Sequence, residues 1–161
     1  MTTSLQSHEI RAHAVQARQA KRREAEAVGV DESFISDMVD GFYASVRDDD
    51  LLGPIFAERI SDWPPHLARM KQFWRSILHN SGEFSGHPMA RHIAIPGLEH
   101  RHFTRWLELF YANLTAISQD SRAPELVGGR AHMIAESLLT GILVKRDGIE
   151  GALKKGTLPH V

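Results

Sequence analysis

Apolar residues recur along this chain at intervals of three and four, the spacing of helices with one buried face, and nowhere alternate in the two-residue rhythm of a strand. From Asp31 onward, Phe34, Ile35, Met38, Val39, Phe42, Tyr43 and Val46 share a face, with Asp31 placed to cap the start and Asp48-Asp49-Asp50 ending the run. Leu51 to Ile60 holds a Gly53-Pro54 turn and then a short helical piece presenting Phe56. Ser61-Asp62-Trp63-Pro64-Pro65 opens another helix with its prolines in the first turn, and His66, Met70, Phe73, Trp74 and Ile77 then follow one stripe. A helix from Leu98 to Ile117 carries Phe103, Trp106, Leu107, Phe110, Leu114 and Ile117 on one side. A last one, from Pro124 to Lys145, carries Leu126, Met133, Ile134, Leu138 and Ile142. His8 to Ala27 is helical by composition, but its only larger apolar residues are Ile10 and Val15, so it is expected as a peripheral arm lying against the domain. The class is therefore all-α, with an arm over 1–30, a helical domain over 31–145 and a flexible tail over 146–161.

Composition narrows the chemistry. A chain of 161 residues is one domain's worth, and 19 Lys+Arg against 20 Asp+Glu leave no overall electrostatic footprint for nucleic acid or an anionic membrane. The absence of cysteine excludes disulfides, thiolate catalysis and Cys-ligated zinc or iron–sulfur clusters, so any metal chemistry must use the ten histidines. No long apolar run and no apolar leader segment are present, which makes cytoplasm the expected location. The early stretch has Arg11, Arg18, Lys21, Arg22 and Arg23 against Glu9 alone, a balance shared with organellar presequences but explained more simply by an exposed helix. His8 and His13 lack the His-Glu-x-x-His spacing of a metalloprotease, and the triple Asp lacks the spacing of a calcium loop.

One short stretch concentrates the candidate chemistry. Pro88 suits a helix start and Pro96-Gly97 stops it within about two turns, with His92 held between them. A lone imidazole cannot hold a bare metal ion, but it can complete the coordination of an iron that brings four nitrogens of its own. Tyr43 and His66 fall on apolar faces, where a polar group must find a carbonyl partner or face a cavity. Tyr43, His66, His92 and Trp106, within a shell of Phe42, Phe56, Met70, Phe73, Trp74 and Phe110, offer the apolar pocket with few polar groups that a flat iron macrocycle requires.

Phe42-Tyr43, Leu52-Gly53-Pro54-Ile55-Phe56, Trp63-x-x-His66, Phe73-Trp74, His87-Pro88-Met89-x-x-His92 and Phe103-x-x-Trp106-Leu107 together resemble the group III truncated haemoglobins, over Asp31 to Leu143. The resemblance implies a shortened globin in which two helix pairs form a two-over-two sandwich with haem b between them. On it, His92 is the proximal iron ligand, Tyr43, His66 and Trp106 form the distal pocket, and Phe56 packs on the macrocycle. Arg69 and Arg91 are propionate partners, because guanidinium forks match carboxylates. Gly-Gly pairs common in the interhelical turns of other truncated globins are missing, as in group III; Gly128-Gly129 lies elsewhere. The implied function is reversible binding of O2, with nitric oxide, carbon monoxide, peroxide and cyanide as further haem ligands and a reductase as partner. His66 is left three roles: donor to the ligand, gate, or a second iron ligand at rest. Two alternatives stand beside this reading: a haem enzyme that detoxifies nitric oxide or reduces peroxide in the same pocket, and a cofactor-free helical interaction module.

Overall fold

The computed structural model describes residues 2–161; Met1 of the expected arm lies outside them, and the described residues form only helices and turns. In chain order the helices are α1 (Thr2–Ala27), α2 (Glu32–Asp48), α3 (Gly53–Arg59), α4 (Trp63–His79), α5 (Pro88–Ile93), α6 (His100–Ile117) and α7 (Arg122–Leu153). α2 packs against both α4 and α6, α6 lies along α7, and the short α5 rests on α7. Two helices thus face two, with α1 added at one end. None of the helices is long and apolar enough to cross a membrane.

The stripes read from the sequence become the core. Asp31 Oδ1 accepts the Phe34 N–H at 2.8 Å, which starts α2 with Ile35, Met38, Val39, Phe42, Tyr43 and Val46 turned inward. They meet Leu107, Phe110 and Leu114 of α6 and, beyond them, Val127 and Leu139 of α7, all essentially without solvent exposure. Each such side chain contributes about 1.5–3 kcal/mol by leaving water. The middle aspartate of the triplet serves structure: Asp49 Oδ2 accepts the N–H groups of Leu51 and Leu52 while Oδ1 accepts Arg105 Nε–H at 2.7 Å. Burial opposes ionisation of Asp49, but those donors outweigh it and hold its carboxyl below the usual range.

The two ends of the chain differ from expectation in opposite ways. The arm lies against α4 as expected, but its N-terminal part stands off the domain: Leu5 and Ile10 are more than two-thirds exposed, because no apolar stripe runs along α1. Its last turn docks through Ala25, and just beyond the helix Val30 is buried too, its carbonyl accepting the Nε2–H of the buried His79 at 2.7 Å. At the other end, α7 runs beyond Lys145, breaks at Gly148 (φ 74°) and ends at Leu153. The segment expected to be a flexible tail then turns back along α6 and α7. Leu158 is 2% exposed, Tyr111 Oη donates to the Pro159 carbonyl at 2.7 Å, and His100 Nε2–H donates to the Thr157 carbonyl at 3.0 Å. Burial pushes the Tyr111 hydroxyl up to about 12, so it stays a donor. Gly128 finds its reason here, since a Cβ in its place would lie 2.8 Å from Val161 Cβ.

Candidate functional site

A cavity of about 400 Å³ lies between the helix pairs. α2 supplies Tyr43, α3 Phe56, α4 His66, Arg69, Met70, Phe73 and Trp74, α5 Arg91 and His92, and α6 Trp106. The expected residues therefore converge, with two exceptions. Phe42 and Phe110, expected to touch a cofactor, form a second layer instead, each 1% exposed. Their place in the helix register turns them one step behind Tyr43 and Trp106. The Phe42 ring meets Tyr43 at 5.0 Å, Trp106 at 5.2 Å and Phe110 at 5.2 Å, all edge to face, and Phe110 stacks between Trp106 and Trp74.

His92 makes one hydrogen bond, and it sets the tautomer of the ring. Its Nδ1 lies 2.6 Å from the Pro88 carbonyl, one turn back on α5. A carbonyl only accepts, so Nδ1 carries the proton and the Nε2 lone pair is open, on a ring that lines the cavity. Pro88 thereby does two things, starting α5 and turning the imidazole. No group of three or more His, Asp or Glu side chains among the described residues is arranged to hold a metal ion, so a metal here must bring most of its own ligands. An apolar cavity of this size with the tautomer-fixed imidazole of His92 on its wall fits a haem.

Across the cavity stands an aromatic and polar group drawn from three helices. The Tyr43 ring lies 5.1 Å from His66, nearly perpendicular, and 5.9 Å from Phe56. Trp63 packs behind at 5.8 Å from Tyr43 and 5.6 Å from His66, with the Arg47 guanidinium 4.5 Å over its indole. Burial alone raises the Tyr43 hydroxyl well above its usual range, so it is a donor at all physiological pH. His66 Nε2 is buried without a hydrogen-bond partner among the described residues. Burial first, and then the charges of Arg69 and Arg91, depress its pKa below the ordinary 6.5, leaving the ring neutral at pH 7. Arg69 is braced by the loop after α4, donating to the Ser85 carbonyl at 3.1 Å and lying 5.2 Å over Phe84.

Some lining residues escaped the sequence reading. Phe103, Ile134 and Leu138 belong to recognised stripes, but periodicity does not separate a face turned to the core from one turned to a cavity. His102 is 6% exposed and lines the cavity too. Its Nδ1 accepts the Glu99 N–H at 3.0 Å, so Nε2 carries the proton, and burial first, with Arg101 next, lowers its pKa. Glu99-x-x-His102 is a capping box with histidine in the usual glutamate position, a signal present in the sequence.

Comparison with known proteins agrees with this geometry. The profile of the bacterial-like globin family matches residues 25–139. The group 3 truncated hemoglobin ctb of Campylobacter jejuni is 31% identical over 123 residues, covering 74% of this chain and 95% of that one. The crystal structure of group III truncated hemoglobin from Campylobacter jejuni superposes with a TM-score of 0.66 at 29% identity, over 70% of this chain and 91% of that chain.

Proposed function

Since the chain belongs to the bacterial-like globins, and within them to the group III truncated haemoglobins, it is a haem-binding globin, and we propose that it holds haem b through His92 and binds O2 reversibly. The observation that carries this reading is the Nδ1–H of His92 donating to Pro88, which leaves its Nε2 lone pair open on the cavity wall. A haem held by His92 would supply an iron that takes up a diatomic ligand and lends it partial negative charge. Every other element is the protein's own. Tyr43 Oη–H and Trp106 Nε1–H are donors on the cavity wall and stabilise that charge. His66, held neutral, supplies a ring nitrogen for the same ligand or gates its entry. Arg69 and Arg91 meet the carboxylates of the macrocycle; Arg69 uses one nitrogen on Ser85 and keeps further donors for this. Phe56, Met70, Phe73 and Trp74 cover the rest of the ring and exclude water.

The absorption spectrum of the purified protein tests the proposal. A Soret band is expected, with a ferrous form, maintained by a reductase, that binds O2 and releases it intact. A colourless protein that stays colourless when haem is added would overturn it and leave a helical interaction module. Sustained turnover of nitric oxide or peroxide with a reductant would place the same pocket in an enzyme. A low-spin ferric spectrum that disappears in His66→Leu would assign His66 as a second iron ligand.

A further inference from the structure

We propose that the mouth of the cavity is an anion-selective entrance, in which Arg59 steers small inorganic monoanions such as nitrite toward Tyr43 and His66. The assignment rests on the haem reading above and adds a ligand class to it. Three arginines line the cavity, Arg59, Arg69 and Arg91, and no aspartate or glutamate does. The chain as a whole has a net charge of −1, so this cation excess is a property of the site and not of the composition. None of the three is engaged in an ion pair among the described residues, where Arg22, Arg75, Arg101, Arg105, Arg122 and Arg146 all are.

The three arginines are not equivalent. Arg69 is braced on Ser85 and Phe84, and Arg91 adjoins His92 on α5; these two match the two carboxylates of a haem. Arg59 is left over. It ends α3, close to one turn beyond Phe56, whose ring is 5.9 Å from Tyr43, so its positive charge lies on the distal side. Inside the mouth, the Tyr43 hydroxyl and the Trp106 indole are both donors, and no carboxylate competes with an incoming anion. A neutral diatomic ligand gains nothing from a cation at the entrance. An anion gains twice, first from long-range attraction focused by apolar walls and then from the donors within. A dock for an acidic protein would spread its cations over an open face, whereas these line a cavity.

The test compares nitrite binding to the ferric holoprotein with carbon monoxide binding to the ferrous form, by stopped flow, from about 10 mM to about 500 mM salt. Nitrite association is expected to fall severalfold with salt while carbon monoxide association does not. Arg59→Glu is expected to lower the nitrite rate by about tenfold at low salt and to abolish its salt dependence, with Arg59→Lys retaining most of the rate. Nitrite rates equal in wild type and Arg59→Glu would overturn the assignment, as would an equal fall in both ligands. Slower reduction of Arg59→Glu by an acidic electron-transfer protein, with nitrite unmoved, would give the rim to a protein partner and also overturn it. A protein without haem would overturn the parent reading itself, an outcome distinct from a haem protein whose nitrite rate ignores Arg59.

Discussion

On one side of the cavity, His92 rides a helix of six residues, none of them buried, started by Pro88 and followed by Pro96-Gly97. On the other, Tyr43, His66 and Trp106 come from α2, α4 and α6 and are wedged by Phe42, Phe110 and Trp63. The first wall is local: one proline, one carbonyl and one ring within a single turn set its chemistry. The second is a product of packing, in which Tyr43, His66 and Trp106 each come from a different helix. A wall of the first kind should fail completely when one residue is changed and hardly at all when its neighbours are. One of the second kind should degrade by degrees, with effects shared between stability and ligand binding.

The sharpest way to break this contrast is His92→Gly. Loss of the Soret band is expected on purification, with recovery when free imidazole is added, because the cavity around one missing ring is otherwise intact. Failure of imidazole to rescue would mean that the proximal wall is more than a single ligand. Next in size is Phe110→Ala, which deletes a ring that is 1% exposed and stacked between Trp106 and Trp74. A loss of about 3–5 kcal/mol in urea unfolding is expected, together with faster ligand release as Trp106 loosens. A change in stability alone would detach the second layer from function.

Tyr43→Phe removes one donor and keeps the ring. At about 1.5–3 kcal/mol for a hydrogen bond to a charged acceptor, O2 dissociation should quicken by roughly tenfold to a hundredfold, and an unchanged off-rate would remove Tyr43 from the mechanism. Combining it with Trp106→Phe should yield less than the sum if both donors serve one ligand atom. A smaller effect follows from acid. Burial is the first cause of the depressed pKa of His66 and of His102, so their folded values lie below the unfolded value of 6.5. The unfolded chain therefore binds more protons in that window, and stability contributed by the neutral rings is present above pH 6.5 and lost as pH falls below it. The urea midpoint should drop between about pH 7.5 and about pH 5.5, and His102→Gln should flatten the fall without changing the Soret band. The change mildest for ligand binding is Leu158→Ala in the returning tail, with faster proteolysis near the C-terminus and both walls untouched.

The elements that carry the core were legible because each is long enough to repeat its pattern. α2, α4 and α6 were visible as stripes, and the bounds of α5 agree with Pro88 and Pro96-Gly97. The arm and the tail were not legible in the same sense. Helix propensity placed α1 but has no bearing on whether it touches anything, and too few apolar residues lie on one side to attach its N-terminal part. The tail looked unstructured because its anchors are distant in sequence. Leu158 inserts alone, Tyr111 and His100 each offer one donor, and Gly128 clears the space for Val161. Gly128 had no explanation within its own helix because its partner, Val161, is distant in sequence.

By itself the sequence determined the class of the fold and the helix faces, since periodicity and proline act over short range, and its resemblance to the group III truncated haemoglobins singled out His92 as the candidate iron ligand. Only the tertiary structure decided which aromatic side chains face the cavity and which stand behind it. It also fixed the proton of His92 on Nδ1, and it brought Arg59, Arg69 and Arg91 to one cavity wall. Those outcomes depend on where atoms far apart in the chain come to rest against one another, and a pattern of residue types carries no such distances.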